Sequence, residues 1–253
     1  MIRVGVVGAT GRMGRTICAA VAADPELELV AAINRLAGET VSGVTVATDL
    51  RALVDTGAEV VIDFTVAVAA RVTVPWLGEH GIHAVVGTTG LSEDDLVAFR
   101  AAFTTSNAFV ASNFAISAVL MMRFAELAAP YFETAEIIEL HHDGKADAPS
   151  GTAVQTAKRM AAASPDWAAD PTKHEVFAGA RGGVGPAGIH IHSVRLRGIQ
   201  AHQEVILGTV GQSLTVRQDS YDNSSYMPGI LLAVKKVGTV PGLTFGLDAY
   251  MDL

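Results

Sequence analysis

The sequence predicts an α/β protein, with a doubly wound parallel sheet at its N-terminus and an α+β domain with a mixed sheet behind it. Three observations carry this. Short apolar runs alternate with helical stretches from residue 2 to about residue 112, and regular βα alternation builds parallel sheets. The first strand runs straight into a glycine-rich turn and a helix. Between 134 and 220 the alternation stops and strands follow one another with only one helix among them. The expected division is therefore 1–112, completed by 221–253, and 113–220.

In order, IRVGVV (2–7) is a short apolar run, the mark of a strand buried on both faces. Gly8-Ala9-Thr10-Gly11-Arg12-Met13-Gly14 follows, then a helix to about Ala23. Glycines there let the chain turn tightly and let backbone approach a pyrophosphate at a helix N-terminus. A plain turn would also use glycines, but strand before and helix after favour a nucleotide site in a Rossmann-like domain. The second strand, 28–33, ends at Asn34-Arg35. An acid at this point bonds a ribose 2′-hydroxyl and repels a 2′-phosphate. Here a neutral Asn34 is followed by a cation, with Arg12 and Arg15 nearby on the turn, so NADPH is expected to serve at least as well as NADH.

Strands are then expected at 59–65, 83–87 and 107–112, with helices at 66–80, containing Pro75, and at 92–103 behind an N-cap serine. Ligands of such sheets sit at the C-terminal ends of the strands. Three peptide runs fall there: Asp63-Phe64-Thr65, Gly87-Thr88-Thr89-Gly90 and Ala111-Ser112-Asn113-Phe114. Their small and hydroxyl residues suit a nicotinamide ring.

An apolar helix is expected from 115 to about 132, a second at 151–163, and a loop at 164–172. The glycine-rich stretch 179–188 reads as mobile. Strands follow at 189–196, 202–210 and 213–220, the last two joined by a Gly211-Gln212 turn. A helix at 224–237, despite Pro228, and a strand at 243–247 are expected to return to the first domain.

The chain has 253 residues, half of them apolar and 17% charged, which fits a folded enzyme and argues against disorder. A net charge of −8 without a long basic run disfavours nucleic acid. One cysteine, Cys18, excludes an intrachain disulfide framework and a cysteine-rich zinc site. His190 and His192 alternate along a strand, but with no acid pattern beside them they are read as a polar face or subunit contact, and no metal is expected. No stretch is long and apolar enough to span a bilayer, and the first residues already read as a strand, so a cytoplasmic protein without a signal peptide is expected.

The most informative segment is EIIELHHDGKADAPSGTA, 136–153. A β-branched run ends in His141 and His142, a short turn leads to Lys145, and Ser150 is set to cap an alanine-rich helix. Histidine exchanges protons near neutral pH, lysine supplies a cation, and the helix start offers N–H groups to an anion. No Glu or Gln stands three residues beyond Ser150 to occupy those donors. The segment reads as an acid/base centre beside a carboxylate or phosphate cradle.

Six runs in order, GATGRMG, DFT, GTTG, ASNFAISAV, ELHHDGKADAPSGTA and SVRLRGIQAHQEVILG, resemble the 4-hydroxy-tetrahydrodipicolinate reductase (dihydrodipicolinate reductase) family over nearly the full length. The resemblance implies hydride transfer from NADH or NADPH to a cyclic dicarboxylate in diaminopimelate and lysine biosynthesis, and a homotetramer formed through the second domain's sheet. It implies His141 as catalytic acid/base and Lys145 as proton donor. His142, Gly151 and Thr152 become substrate contacts, beside Ser150 at the head of the cradle. The implied cofactor site comprises Gly8, Ala9, Thr10, Gly11, Arg12, Met13, Arg35, Gly87, Thr88, Thr89, Ala111, Ser112, Asn113 and Phe114. Asn34 joins it by position, although many members carry an acid there. The run VAVAARVTV after DFT departs from the family's Pro-containing helix start. Two rival readings remain: another two-domain NAD(P)-dependent reductase of small amino or dicarboxylic acids, and a nucleotide-binding regulator without catalysis.

Overall fold

The computed structural model describes residues 1–251; the last two residues of the expected domain tail, 252 and 253, lie outside the described residues. The chain divides into two compact units, 1–114 with 226–253, and 115–225.

The first unit carries β1 (Ile2–Val7), α1 (Arg12–Ala23), β2 (Leu27–Ile33), β3 (Thr40–Val41), β4 (Val44–Ala47), α2 (Arg51–Asp55), β5 (Val60–Asp63), α3 (Ala67–Glu79), β6 (His83–Val86), α4 (Glu93–Ala102) and β7 (Ala108–Val110). The sheet order is β13-β7-β6-β5-β1-β2-β4-β3, where β13 is Leu243–Phe245 from the tail. All neighbours run parallel except β3, which pairs antiparallel with β4. Every residue of β5 and β7 is buried, as central strands of a sheet covered on both faces require. β1 steps across from β2 to β5, the strand-order switch beside which doubly wound sheets bind ligands.

Local chemistry explains the helices. Ser92 accepts from the Asp95 N–H at 3.2 Å while Asp95 accepts from the Ser92 N–H at 2.7 Å, a capping box that starts α4. α3 runs through Pro75, held to the core by Ala70, Val74 and Leu77. Pro228 falls in the first turn of α7 (Met227–Lys236), where a missing N–H costs nothing. The sequence reading passed over β3, β4 and α2, which are too short for a periodic pattern.

The second unit holds α5 (Ile116–Ala128), β8 (Thr134–His141), α6 (Gly151–Ala163), β9 (Gly183–Val184), β10 (His190–Arg195), β11 (Ala201–Thr209) and β12 (Gln212–Ser220). Its sheet order is β12-β11-β8-β10-β9, with β8 and β10 parallel and the other pairs antiparallel. The expected 115–132 helix stops at Ala128 and tightens into a short 3₁₀ turn around Pro130. Part of the glycine-rich stretch is a strand, β9, paired to β10. The hairpin differs from the expected one: Thr209 pairs with Gln212, so the loop is Val210-Gly211, with the positive φ of +80° at its second residue. Gly211 is needed there because only glycine takes that conformation without strain.

Candidate functional site

In the first unit, Gly8 takes φ +86°, and a Cβ on it would meet the Phe64 carbonyl oxygen at 2.8 Å. A Cβ on Gly14 would lie 2.0 Å from the Gly8 carbonyl oxygen. Gly11 is the N-cap of α1 and brings no side-chain cap, and no acid stands in the first turn. By helix geometry the first-turn N–H groups of Arg12, Met13 and Gly14 find no partner within α1. The turn thus fits a pyrophosphate. The N–H groups of Gly8 and Ala9 are already used, both donating to the Ile33 carbonyl at 2.9 and 3.1 Å.

Beside the turn lies a groove of about 310 Å³ lined by Gly8, Ile33, Asn34, Arg35, Thr48, Leu50, Thr65 and Val72 among others. Its apolar walls suit an adenosine. The Asn34 side-chain amide donates to the Thr10 hydroxyl, tying the end of β2 to the turn. Arg35 is exposed at the rim. Arg15, expected to add to the local positive charge, instead pairs with Glu39 at 2.5 Å. Its charge is offset, which leaves Arg35 on the groove wall and Arg12 on the turn.

Asp63 ends β5 fully buried. Its Oδ1 accepts from the Thr65 hydroxyl (2.7 Å), the Thr65 N–H (3.1 Å) and the Thr88 hydroxyl (2.7 Å), while Oδ2 finds no partner. Burial pushes its carboxyl above the usual carboxylate range, partly countered by the bonds from Thr65 and Thr88. Thr88 is therefore a buried brace between two strand ends rather than an open hydroxyl. Gly87 makes room for the Phe64 ring, which a Cβ would strike at 2.1 Å. Thr89 and Ser112 are exposed, and Asn113 is half-buried. Ala111 and Phe114 are buried, Phe114 against Phe64 and Phe109 at ring separations of 5.4 and 5.7 Å.

In the second unit, His141 is the last residue of β8 and pairs with Arg195 of β10 and Ala201 of β11. Strand residues two apart share a face, so Glu139 stands beside His141 and is wholly buried. Glu139 Oε2 accepts from His141 Nδ1 at 2.5 Å and from Arg195 Nη1 at 3.0 Å. Its Oε1 accepts from Arg195 Nη2 at 2.9 Å and from the Ser150 N–H at 3.2 Å. Burial pushes this carboxyl up, but hydrogen bonds from His141, Arg195 and Ser193 outweigh it and hold it at about 2. An ionised carboxylate only accepts, so His141 carries its proton on Nδ1 and keeps Nε2 for other partners.

The loop beyond β8 is pinned by the same groups. Arg195 Nη2 donates to the Asp147 carbonyl at 2.6 Å, and Lys145 N–H to the His142 carbonyl at 3.1 Å. Lys145 Nζ lies 2.7 and 2.8 Å from the two carboxylate oxygens of Asp147. The His142 N–H donates to the Gln200 carbonyl at 3.3 Å. Ser150 is buried and its hydroxyl accepts from the Ala153 N–H, the N-cap expected for α6. Gly151 opens the helix, and a Cβ there would meet nothing within 4 Å. His141, His142, Lys145 and the α6 start are thus drawn to one end of one strand.

Glu139 and Arg195 were missed by the sequence reading. An acid two residues before a histidine on a strand is a usable signal for the first; nothing local signals Arg195, which arrives through the parallel β8–β10 register. The other histidines lie elsewhere. His190 and His192 are on the opposite sheet face, where Asp170 and Glu136 stand 3.2 and 2.6 Å away, acids the sequence pattern did not reveal. His202, which pairs with Leu140, also faces away from His141; its Nδ1 is 2.6 Å from Asp219 Oδ1, out of line for a hydrogen bond.

Known proteins match this chain along its length. The family models for the dihydrodipicolinate reductase N-terminus and C-terminus cover residues 2–114 and 117–251. The chain belongs to the dihydrodipicolinate reductase family. Within that family it is 49% identical to a 4-hydroxy-tetrahydrodipicolinate reductase of Nocardia farcinica, over 100% of this chain and 99% of the relative. It is 45% identical to one of Streptomyces coelicolor, over 100% and 98%. Among solved structures, a dipicolinate-bound dihydrodipicolinate reductase from Paenisporosarcina sp. TG-14 superposes with TM-score 0.89 at 37% identity, covering 98% of this chain and 99% of that one. An amine dehydrogenase from Mycobacterium smegmatis, at 13% identity and TM-score 0.64, shares the fold alone.

Proposed function

We propose that the protein reduces 4-hydroxy-tetrahydrodipicolinate to tetrahydrodipicolinate in diaminopimelate and lysine biosynthesis, using NADH or NADPH. The single observation that carries the reading is the gathering of an imidazole, an ammonium and a helix N-terminus at the end of β8 in a chain that matches the family end to end. Bound nicotinamide supplies a hydride, and the hydroxyl lost between substrate and product leaves as water. The chain's own task is to hold two carboxylates and move a proton. Lys145 and His142 offer the charge and hydrogen bonds for one carboxylate, and the Gly151 and Thr152 end of α6 attracts the other. His141 acts as acid/base through Nε2 and Lys145 assists as proton donor; a positioned acid typically contributes ~10²–10⁴-fold. The net charge of −8 repels a dianion at long range, so binding rests on the site itself, where Lys145 exchanges Asp147 for a substrate carboxylate.

Gly8 to Met13 would hold the nucleotide's phosphates, with Asn34 and Arg35 toward the ribose and the backbone of 87–89 and 111–114 toward the nicotinamide. Two broader features belong to the same reading. The sheet face bearing Ile138, Leu140, Val194 and Ile206, all only partly buried, is the contact of a homotetramer, which light scattering tests as a fourfold mass. The site of action is the cytoplasm. Among the described residues no helix is long and apolar enough to cross a membrane.

The deciding assay supplies the aldol product of pyruvate and aspartate semialdehyde and follows loss of reduced nicotinamide absorbance. Turnover is expected with at least one cofactor. His141→Gln and Lys145→Ala should each collapse kcat with little change in nucleotide binding. Intact turnover in either variant overturns the assignment, and no oxidation with either cofactor overturns the activity itself.

A further inference from the structure

Glu139 is an expensive residue in its position. A carboxylate wholly out of water is tolerated only when paired and hydrogen-bonded, and a well-packed apolar side chain is often no less stable there. Ile137, two residues earlier on the same face, is equally buried, so the sheet accommodates an apolar residue at this depth. Yet Glu139 fills its acceptor positions from three different segments. His141 lies on its own strand, the Arg195 fork on β10, and the Ser150 N–H at the start of α6. Bidentate guanidinium–carboxylate pairs are the most directional of the charged contacts.

We propose that Glu139, braced by Arg195, is a positioning residue for the reduction: it fixes His141 with its proton on Nδ1, presents Nε2 to the substrate, and holds that imidazole at a set place relative to the anion-binding start of α6. This rests on the function proposed above. Arg195 has a second effect. Its guanidinium shares both carboxylate oxygens with the other donors, so it tempers the pull of Glu139 on the His141 proton. The charged and titratable groups that sequence and register bring near His141 are Glu139 on its own strand, Arg195 on β10, His142, Asp143, Lys145 and Asp147 in the loop that follows, and Arg197 just past β10, paired with Asp143. The neighbour of His141 on β11 is Ala201, and α6 has no acid in its first turn.

The test is an NMR titration of the His141 ring in the full-length protein, its signal assigned by loss in His141→Gln. In Glu139→Gln the midpoint should fall by about one pH unit or more, because the imidazolium loses its anion and keeps the Arg195 cation. In Arg195→Met it should rise, because the carboxylate is left to His141. The His141 limb of the kcat profile should move in the same two directions, while the Kd for NADH stays unchanged. Midpoints that stay put, or that move the same way in both variants while thermal stability drops, make the pair structural only and overturn the proposal. If Glu139→Gln does not fold, the upward shift in Arg195→Met decides alone. Failure of the proposed activity would show separately, as no oxidation of either cofactor by the unaltered protein, and would leave the NMR midpoints unaffected.

Discussion

Gly14 packs against Gly8 so closely that a Cβ on it would stand 2.0 Å from the Gly8 carbonyl oxygen. No side chain could yield at that contact, because both partners are backbone. Gly14→Ala is therefore expected to lower stability by about 2 kcal/mol, the typical cost of overpacking. It should also raise the Kd for NADH at least tenfold by tilting the start of α1. Gly11 is the control: its Cβ would meet the same oxygen at 3.2 Å, and its φ of −67° is ordinary. Gly11→Ala should cost less than half as much. Urea denaturation and NADH fluorescence titration read both quantities.

Arg35 stands at the rim of the groove beside Asn34, while the nearby Arg15 is paired with Glu39. A 2′-phosphate would gain from Arg35 what a 2′-hydroxyl would not. Arg35→Ala is expected to raise KM for NADPH at least tenfold more than KM for NADH. An equal rise for both cofactors would show that Arg35 reads some shared part of the nucleotide.

The two buried acids should give opposite signs in stability against pH. Glu139 is held at about 2, well below its value in the unfolded chain. It therefore contributes stability, about 3 kcal/mol, that is present above the unfolded pKa and lost as pH falls toward 2. Asp63 is shifted the other way by burial, so it costs stability above the unfolded pKa and the cost fades as pH falls. Glu139→Gln should thus be most damaging at neutral pH, with the deficit shrinking in acid. Asp63→Asn keeps the Oδ1 acceptor for Thr65 and Thr88 and should match or exceed the parent at neutral pH, losing that advantage near pH 4. Thermal melts across the acid range would show the two differences converging from opposite sides.

How much of this was legible in the sequence depends on how local each feature is. The Ser92 N-cap and the α6 span 151–163 follow from neighbouring residues, and both stand as read. The glycine turn was legible as a turn, but only packing separates Gly14, which has no room for a Cβ, from Gly11, which nearly does. Thr88 read as a cofactor-site residue, and its hydroxyl is committed to Asp63, a partner 25 residues away that no local pattern marks. Arg195 meets His141 only through the register of two parallel strands, which no spacing in the chain encodes. The hairpin turn shifted by one residue because Gly211 suits either loop position, and pairing of Thr209 with Gln212 decides between them.

Gly151 offers a test in which stability and binding should move in opposite directions. It opens α6, its φ is not positive, and a Cβ there would meet nothing within 4 Å. Packing within the chain therefore does not require glycine. Alanine in a helix avoids glycine's entropic cost, so Gly151→Ala should raise stability by about 0.5–1 kcal/mol. If the open space is where a substrate carboxylate approaches the first-turn N–H groups, the added methyl blocks that approach. KM for the dicarboxylate should then rise at least tenfold while the Kd for NADH is unchanged. A purely structural glycine would show the reverse, a less stable protein with normal KM, and that result would remove the α6 start from the substrate site.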